Sequence, residues 1–260
     1  MTDVIARILL GLSALFYGAS FLCALKKFSK SVPRRLKIAF PAAAFVLNGT
    51  VFVLNYVGNV RTRGASFIPF VSVWQCLVFL ALCCVLVGLT VRKLCRIEGY
   101  DAYFFFASAV VTVGTCVMKS TSVNYPPALQ SVFFIPHILC YMFSYSLAAV
   151  GALIALRALV KKEDHDPVLS VIARLLFPFM TAGLFFGAVW ADQVWGEFWA
   201  WDVKECWSLS AWLNYLTALH LYRRPGLKKY ARIFMITGAA LVIVTFFFSN
   251  VLKVPSMHSY

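Results

Sequence analysis

Six of the seven tryptophans in this 260-residue chain fall within 23 residues, from Trp190 to Trp212. The core of that stretch reads Trp195-Gly-Glu-Phe-Trp199-Ala-Trp201-Asp202-Val-Lys204-Glu205. Aromatic belts at membrane surfaces also use Trp, but they scatter it thinly over many helix ends. This density predicts a surface built for a flat aromatic ligand. Trp195, Trp199 and Asp202 stand at i, i+4 and i+7, so a short amphipathic helix lying in the interface would carry them on one face. Gly196 would let a flat ring approach the backbone. Asp202 has two readings, a cap for the span that follows and a direct ligand contact. Lys204 and Glu205 read as interfacial, with Lys204 within reach of a ligand carboxylate.

The chain has only four histidines, at 137, 165, 220 and 258. His165 lies in the charged run Lys-Lys-Glu-Asp-His-Asp and reads as a solvated surface residue. His137 follows Pro136, and a proline suits a first helical turn, where its missing N–H is not needed. His258 lies eight residues past the last apolar run, and an extended tail of that length reaches on the order of 25 Å. His137 and His258 can therefore flank the Trp segment, whereas His220 lies one membrane thickness away. Two neutral imidazoles can ligate an iron axially while Trp rings pack on a porphyrin. The arrangement reads as a site for haem b (iron protoporphyrin IX), with His137 and His258 as its metal-ligating candidates. The eight cysteines form no Cys-x-x-Cys pair, which argues against thioredoxin-like or zinc chemistry; only Cys206, beside the Trp segment, departs from a packing role.

These residues need a scaffold, and composition dictates its type. With 62% apolar and 13% charged residues and a mean hydropathy of +0.81, the chain is an integral membrane protein. A span needs about 20 apolar residues to cross about 30 Å of hydrocarbon. Eight such runs occur, at 4–25, 36–57, 68–91, 102–118, 132–157, 168–190, 203–222 and 231–250. The expected fold is all-α and polytopic, a single domain over 1–260 with about eight transmembrane helices, no internal repeat and no linker. The first run lacks a small-residue cleavage pattern and reads as a retained span. The net charge of +14 does not indicate nucleic acid, because 18 of the 24 Lys and Arg fall in alternate loops. By the positive-inside rule this bias puts both termini and the segment 190–207 on the outer face. Arg61, Arg63 and Lys119 stand outside against the bias, as snorkelling cations or as partners for ligand carboxylates. Span seven carries Ser210, Asn214, Thr217 and His220 largely on one side, which predicts that it lines the site.

The run Trp195-Gly-x-x-Trp199-x-Trp201-Asp202-x-Lys204-Glu205 with Trp207 resembles the "WWD" signature of haem-handling proteins. It is most similar to the CcsA (ResC) family of System II cytochrome c biogenesis. The resemblance extends through Pro127-Ala-Leu-Gln-Ser131, Gly187-Ala-Val-Trp190, Ala211-Trp-Leu to His220, and Met257-His258-Ser-Tyr260. One departure is Val203, where the family usually has Pro after the motif aspartate. The resemblance implies that His137 and His258 are outer haem ligands and that His220 is a membrane-embedded one. It implies a holocytochrome c synthase component acting with a CcsB-like partner, on apocytochrome c, alongside thiol-reducing proteins. The implied reaction joins haem vinyl groups to the thiols of a Cys-x-x-Cys-His segment. Trp195, Trp199, Trp201 and Asp202, with the outer histidines, would form the catalytic surface. The implied location is a bacterial plasma membrane, or a thylakoid if the chain is plastid-encoded. Rival readings are a haem transporter that catalyses no bond, a b-type electron carrier, which the single His220 disfavours, and a bare scaffold.

Overall fold

The computed structural model describes residues 3–25, 31–64, 69–118 and 129–251. Among them every regular element is helical. The helices are α1 (Asp3–Ala24), α2 (Arg34–Arg63), α3 (Val73–Lys93), α4 (Asp101–Val117), α5 (Phe134–Lys161), α6 (Asp166–Trp195), α7 (Val203–Tyr222) and α8 (Lys228–Val251), with a 3-10 turn over Pro225–Leu227 before α8. Each coincides with one apolar run. Six of these segments are long and apolar enough to cross a membrane. Of the other two, α4 is apolar but has only 17 residues, and α7 is diluted by Lys204, Glu205, Asn214 and His220. The protein is a multi-pass, all-α membrane protein.

The chain forms two compact units, Met1–Gln130 and Ser131–Tyr260. In the first, α1 packs on α2 and α4, and α3 packs on the same two helices. The polarity is inverted relative to a soluble bundle: Leu15 is 71% exposed, while Ser13, Asn48 and Ser108 are fully buried. Lipid is as apolar as leucine, so helix association relies on close packing and on hydrogen bonds between helices. Ser13 accordingly donates to the Ala44 carbonyl at 2.9 Å, Asn48 to that of Val78 at 3.3 Å, and Ser108 to that of Ala81 at 3.0 Å. Entry into α3 is set by a capping box in which Ser72 and Gln75 each bond the other's backbone N–H. Arg61 is exposed near the end of α2; Lys119 lies outside the described residues, as does the Arg63 side chain.

In the second unit α5 packs on α6 and α8, and α7 packs on the same two helices. Two short turns close its ends. Lys162, in the left-handed conformation, ends α5. There Glu163 accepts from Arg157 and pairs with His165, and these partners hold its carboxyl down at about 2. His165 is thus a hydrogen-bond partner of Glu163 and the cap residue of α6, with its side chain only 17% exposed, in place of the solvated residue expected. Asp166, 5% exposed, takes both arms of Arg232 at 2.7 and 2.8 Å and ties the start of α6 to the start of α8.

Candidate functional site

His137 sits in the first turn of α5, one residue after Pro136, as the sequence indicates. Its ring is fixed by α6. The Nδ1 nitrogen lies 2.8 Å from the carbonyl oxygen of Gly183. A carbonyl only accepts, so Nδ1 carries the proton and the neutral ring's lone pair is on Nε2. That is the tautomer of a metal-ligating histidine whose second nitrogen is held by a backbone acceptor. The seat requires glycine, because a Cβ on Gly187 would lie 2.5 Å from His137 Nδ1 and 2.6 Å from Cε1. Gly183, one turn earlier, gives the same clearance to the Tyr141 ring at 3.2 Å. Rings complete the enclosure: Tyr141 meets His137 edge-on at 4.9 Å between centroids, and Trp190 lies at 5.7 Å. Trp190 in turn touches Phe134 and Trp195, at 5.2 and 5.0 Å.

The six clustered tryptophans do not form one surface. Trp190 is buried within helix packing, and Trp212 joins α7 to α6 by donating to Thr181 Oγ1 at 2.9 Å and packing on Phe177. The loop itself presents Trp199 and Trp201, whose rings meet edge-on at 6.0 Å. Trp195 closes α6 beside Trp190. Nor do residues 195–202 form the amphipathic helix that their spacing suggested. Gly196 takes a left-handed conformation (φ 76°), and its N–H bonds Asp192 O, which ends α6. Gly196 is therefore required for the turn, and the space beside it is open.

From Gly196 to Asp202 the chain is irregular, and Trp201, 69% exposed, also has a left-handed backbone (φ 57°). A bulky residue there is strained, a condition that recurs at ligand-binding sites. Trp199 Nε1 is buried and has no hydrogen-bond partner among the described residues, a rarity in a settled structure.

Asp202 is the N-cap of α7: its side chain accepts from Lys204 N at 2.7 Å. Glu205 completes the capping box and does more. Expected to be interfacial, it is 8% exposed, and its Oε2 accepts from both Ala200 N at 2.9 Å and Asp202 N at 3.1 Å. The Asp-x-x-Glu spacing is itself the sequence signal for this role. Cys206 directs its thiol to the Trp201 carbonyl at 3.4 Å.

In the polar stripe of α7, Asn214 is engaged in helix packing. Asn214 donates to Phe234 O at 2.6 Å and accepts from Thr237 at 2.8 Å, both on α8. Ser210 and Thr217 bond carbonyls of their own helix. His220 is exposed in the last turn of α7, about 26 Å along the helix from the loop at 1.5 Å per residue. His258 lies outside the described residues, so the structure brings His137 to the aromatic cluster but does not describe its expected companion. Sequence reasoning missed Tyr141 and the Gly183 carbonyl. The latter had no signal, because any residue carries a carbonyl.

A family model described as cytochrome c assembly protein matches residues 38–255. The chain belongs to the cytochrome c assembly protein family. Its similarity within that family is to CcsA proteins of cytochrome c biogenesis. The Chlamydomonas reinhardtii CcsA is 27% identical over 247 residues, covering 86% of this chain and 69% of that protein. A Synechococcus sp. (strain CC9605) CcsA is 26% identical, covering 86% of this chain and 92% of that one. Among solved structures the fold matches the cytochrome c heme lyase CcmF with a TM-score of 0.72 at 17% identity. That likeness covers 95% of this chain but 47% of CcmF, so the chain spans about half the length of that protein. Membership in the cytochrome c assembly family makes the general role cytochrome c biogenesis.

Proposed function

We propose that this protein binds haem as its cargo, presents it on the outer face of the membrane, and positions it for covalent attachment to apocytochrome c. The observation that carries this reading is the seating of His137, whose Nδ1–H is committed to the Gly183 carbonyl while its ring is clamped by Gly187, Tyr141 and Trp190. Such a ring offers Nε2 to a metal at little further orientational cost. The fit to a porphyrin is supported by the buried N–H of Trp199, which has no partner among the described residues, and by the strained, exposed Trp201 on the same loop.

In this reading His137 and His258 hold the haem iron, Trp195, Trp199 and Trp201 fix the ring, and Asp202 acts through its cap by holding the loop to α7. His220 serves as the ligand nearer the cytoplasm, its second axial partner coming from a CcsB-like protein. The bias of basic residues supports the orientation, with the loop 196–202 outside. The thioether step adds a cysteine S–H across a haem vinyl bond: sulfur bonds the carbon next to the ring and the proton goes to the terminal carbon. No external oxidant is required. The protein's contribution is proximity, which can supply most of the acceleration in such an addition.

The test is the visible absorption spectrum of the detergent-purified protein beside His137→Ala and His258→Ala. A low-spin haem b spectrum that either variant loses or makes exchangeable is the expected result. Absence of haem from the wild type, even with the partner co-expressed, would refute the reading. Release of intact haem to an acceptor, with no thioether formed in the presence of partner and apocytochrome, would favour a transporter.

A further inference from the structure

We propose that the turn between α7 and α8 is a binding site for the headgroups of anionic phospholipids. Arg223, Arg224, Lys228 and Lys229 fall within seven residues, and no Asp or Glu follows Glu205 anywhere in the chain. The nearby acids belong to another element and are already engaged: Asp166 takes both arms of Arg232, and Asp164 lies 3.6 Å from the same guanidinium. Arg223, Arg224 and Lys229 are exposed, and none has an acidic partner within ion-pair distance among the described residues.

Place distinguishes this cluster from a solvated charge run. Only five residues separate Tyr222 from Lys228, three of them wound into the 3-10 turn Pro225–Leu227. The last segment long and apolar enough to cross a membrane runs from Pro225, with its apolar stretch following the lysines. The turn therefore cannot rise far from the hydrocarbon, and its cations are confined to the depth of the lipid phosphates. Below them Leu227, Tyr230 and Ile233, spaced one turn apart, are 39%, 54% and 39% exposed. Cations over an exposed aromatic and aliphatic strip match a phosphate headgroup over its acyl chains. Arginine forks suit the phosphate oxygens bidentately, and the site needs no haem to be occupied.

The test uses the full chain in nanodiscs of equal phosphatidylglycerol and phosphatidylcholine, with the lipids retained on release counted by native mass spectrometry. The wild type should retain phosphatidylglycerol several-fold over phosphatidylcholine, with the preference declining as salt rises. The Arg223→Gln/Arg224→Gln/Lys229→Gln variant should fall to near parity, whereas Arg34→Gln/Arg35→Gln/Lys37→Gln, equal in charge removed, should keep the preference. An unchanged preference in the first variant would overturn the proposal, and so would near parity in the wild type, which needs no variant to fold. Displacement of the lipid by inorganic phosphate at matched ionic strength would overturn it in favour of a free-anion site. Displacement by protoporphyrin IX but not by its dimethyl ester would overturn it in favour of porphyrin carboxylates.

Discussion

At the scale of single residues, the seat of His137 tolerates almost no addition. A methyl group at position 187 would overlap the imidazole at 2.5 Å, and the ring could yield only by leaving the Gly183 carbonyl. Gly187→Ala should therefore lower thermal stability by about 1–3 kcal/mol, the usual range for overpacking, and reduce haem retention. Gly183→Ala should do less, since its Cβ would meet the Tyr141 ring at 3.2 Å, a clearance that small movements restore. Thermal melts with absorption spectra of both variants check this; a Gly187→Ala protein with wild-type spectrum and melting temperature would sink the account. His137 was legible in the sequence because histidines are few and a proline marks its turn. Its acceptor was not legible, since a backbone carbonyl has no residue type, and the seat became visible only when α5 and α6 were brought together.

At the scale of elements, the loop 196–202 is organised by the helix it enters. One carboxylate oxygen of Glu205 serves the N–H groups of Ala200 and Asp202. Glu205→Ala should leave both amides without their acceptor and speed their hydrogen exchange. Glu205→Gln, which keeps an oxygen at that place, should leave them nearly as protected as in the wild type. Equal exchange in the two variants would mean that the loop is held by something else. The boundaries of α7 were readable beforehand, because Asp202-x-x-Glu205 is a capping pattern and the apolar run ends at Tyr222. The interfacial helix was a misreading with a clear cause. The spacing of Trp195, Trp199 and Asp202 satisfied a helical period, but Gly196 and Trp201 adopt left-handed backbone that interrupts it, and periodicity carries no information on the sign of φ.

At the scale of the whole molecule, the eight helices among the described residues were legible because each rests on an apolar run of the kind a span requires, and little else in the chain competes with that signal. The division near residue 130 left no mark in composition, since both units are built from the same kind of helix. Equally hidden was the clamp between Asp166 and Arg232, 66 positions apart, whose members read as loop charges. Removing Arg232 leaves Asp166 buried without its counter-charge, which commonly costs about 3–5 kcal/mol. Arg232→Gln should destabilise the protein by about that amount and Asp166→Asn by less, because Asp164 still lies 3.6 Å from the guanidinium, and the double variant should recover part of the loss. Melting temperatures in detergent would show this coupling; strict additivity would mean the pair contributes nothing as a pair.

The attachment of the loop through Glu205 has a mechanical corollary. Gly196 joins residues 197–202 to α6 through the chain, while Ala200, Trp201 and Asp202 bond Lys204, Glu205 and Cys206 of α7. The loop is thus a crank arm on the α7 shaft, and His220 is fixed to the shaft's other end, about 26 Å away at 1.5 Å per residue. Freeing that attachment would loosen Trp199 and Trp201 from α7, while His137, bedded on α6, kept its place.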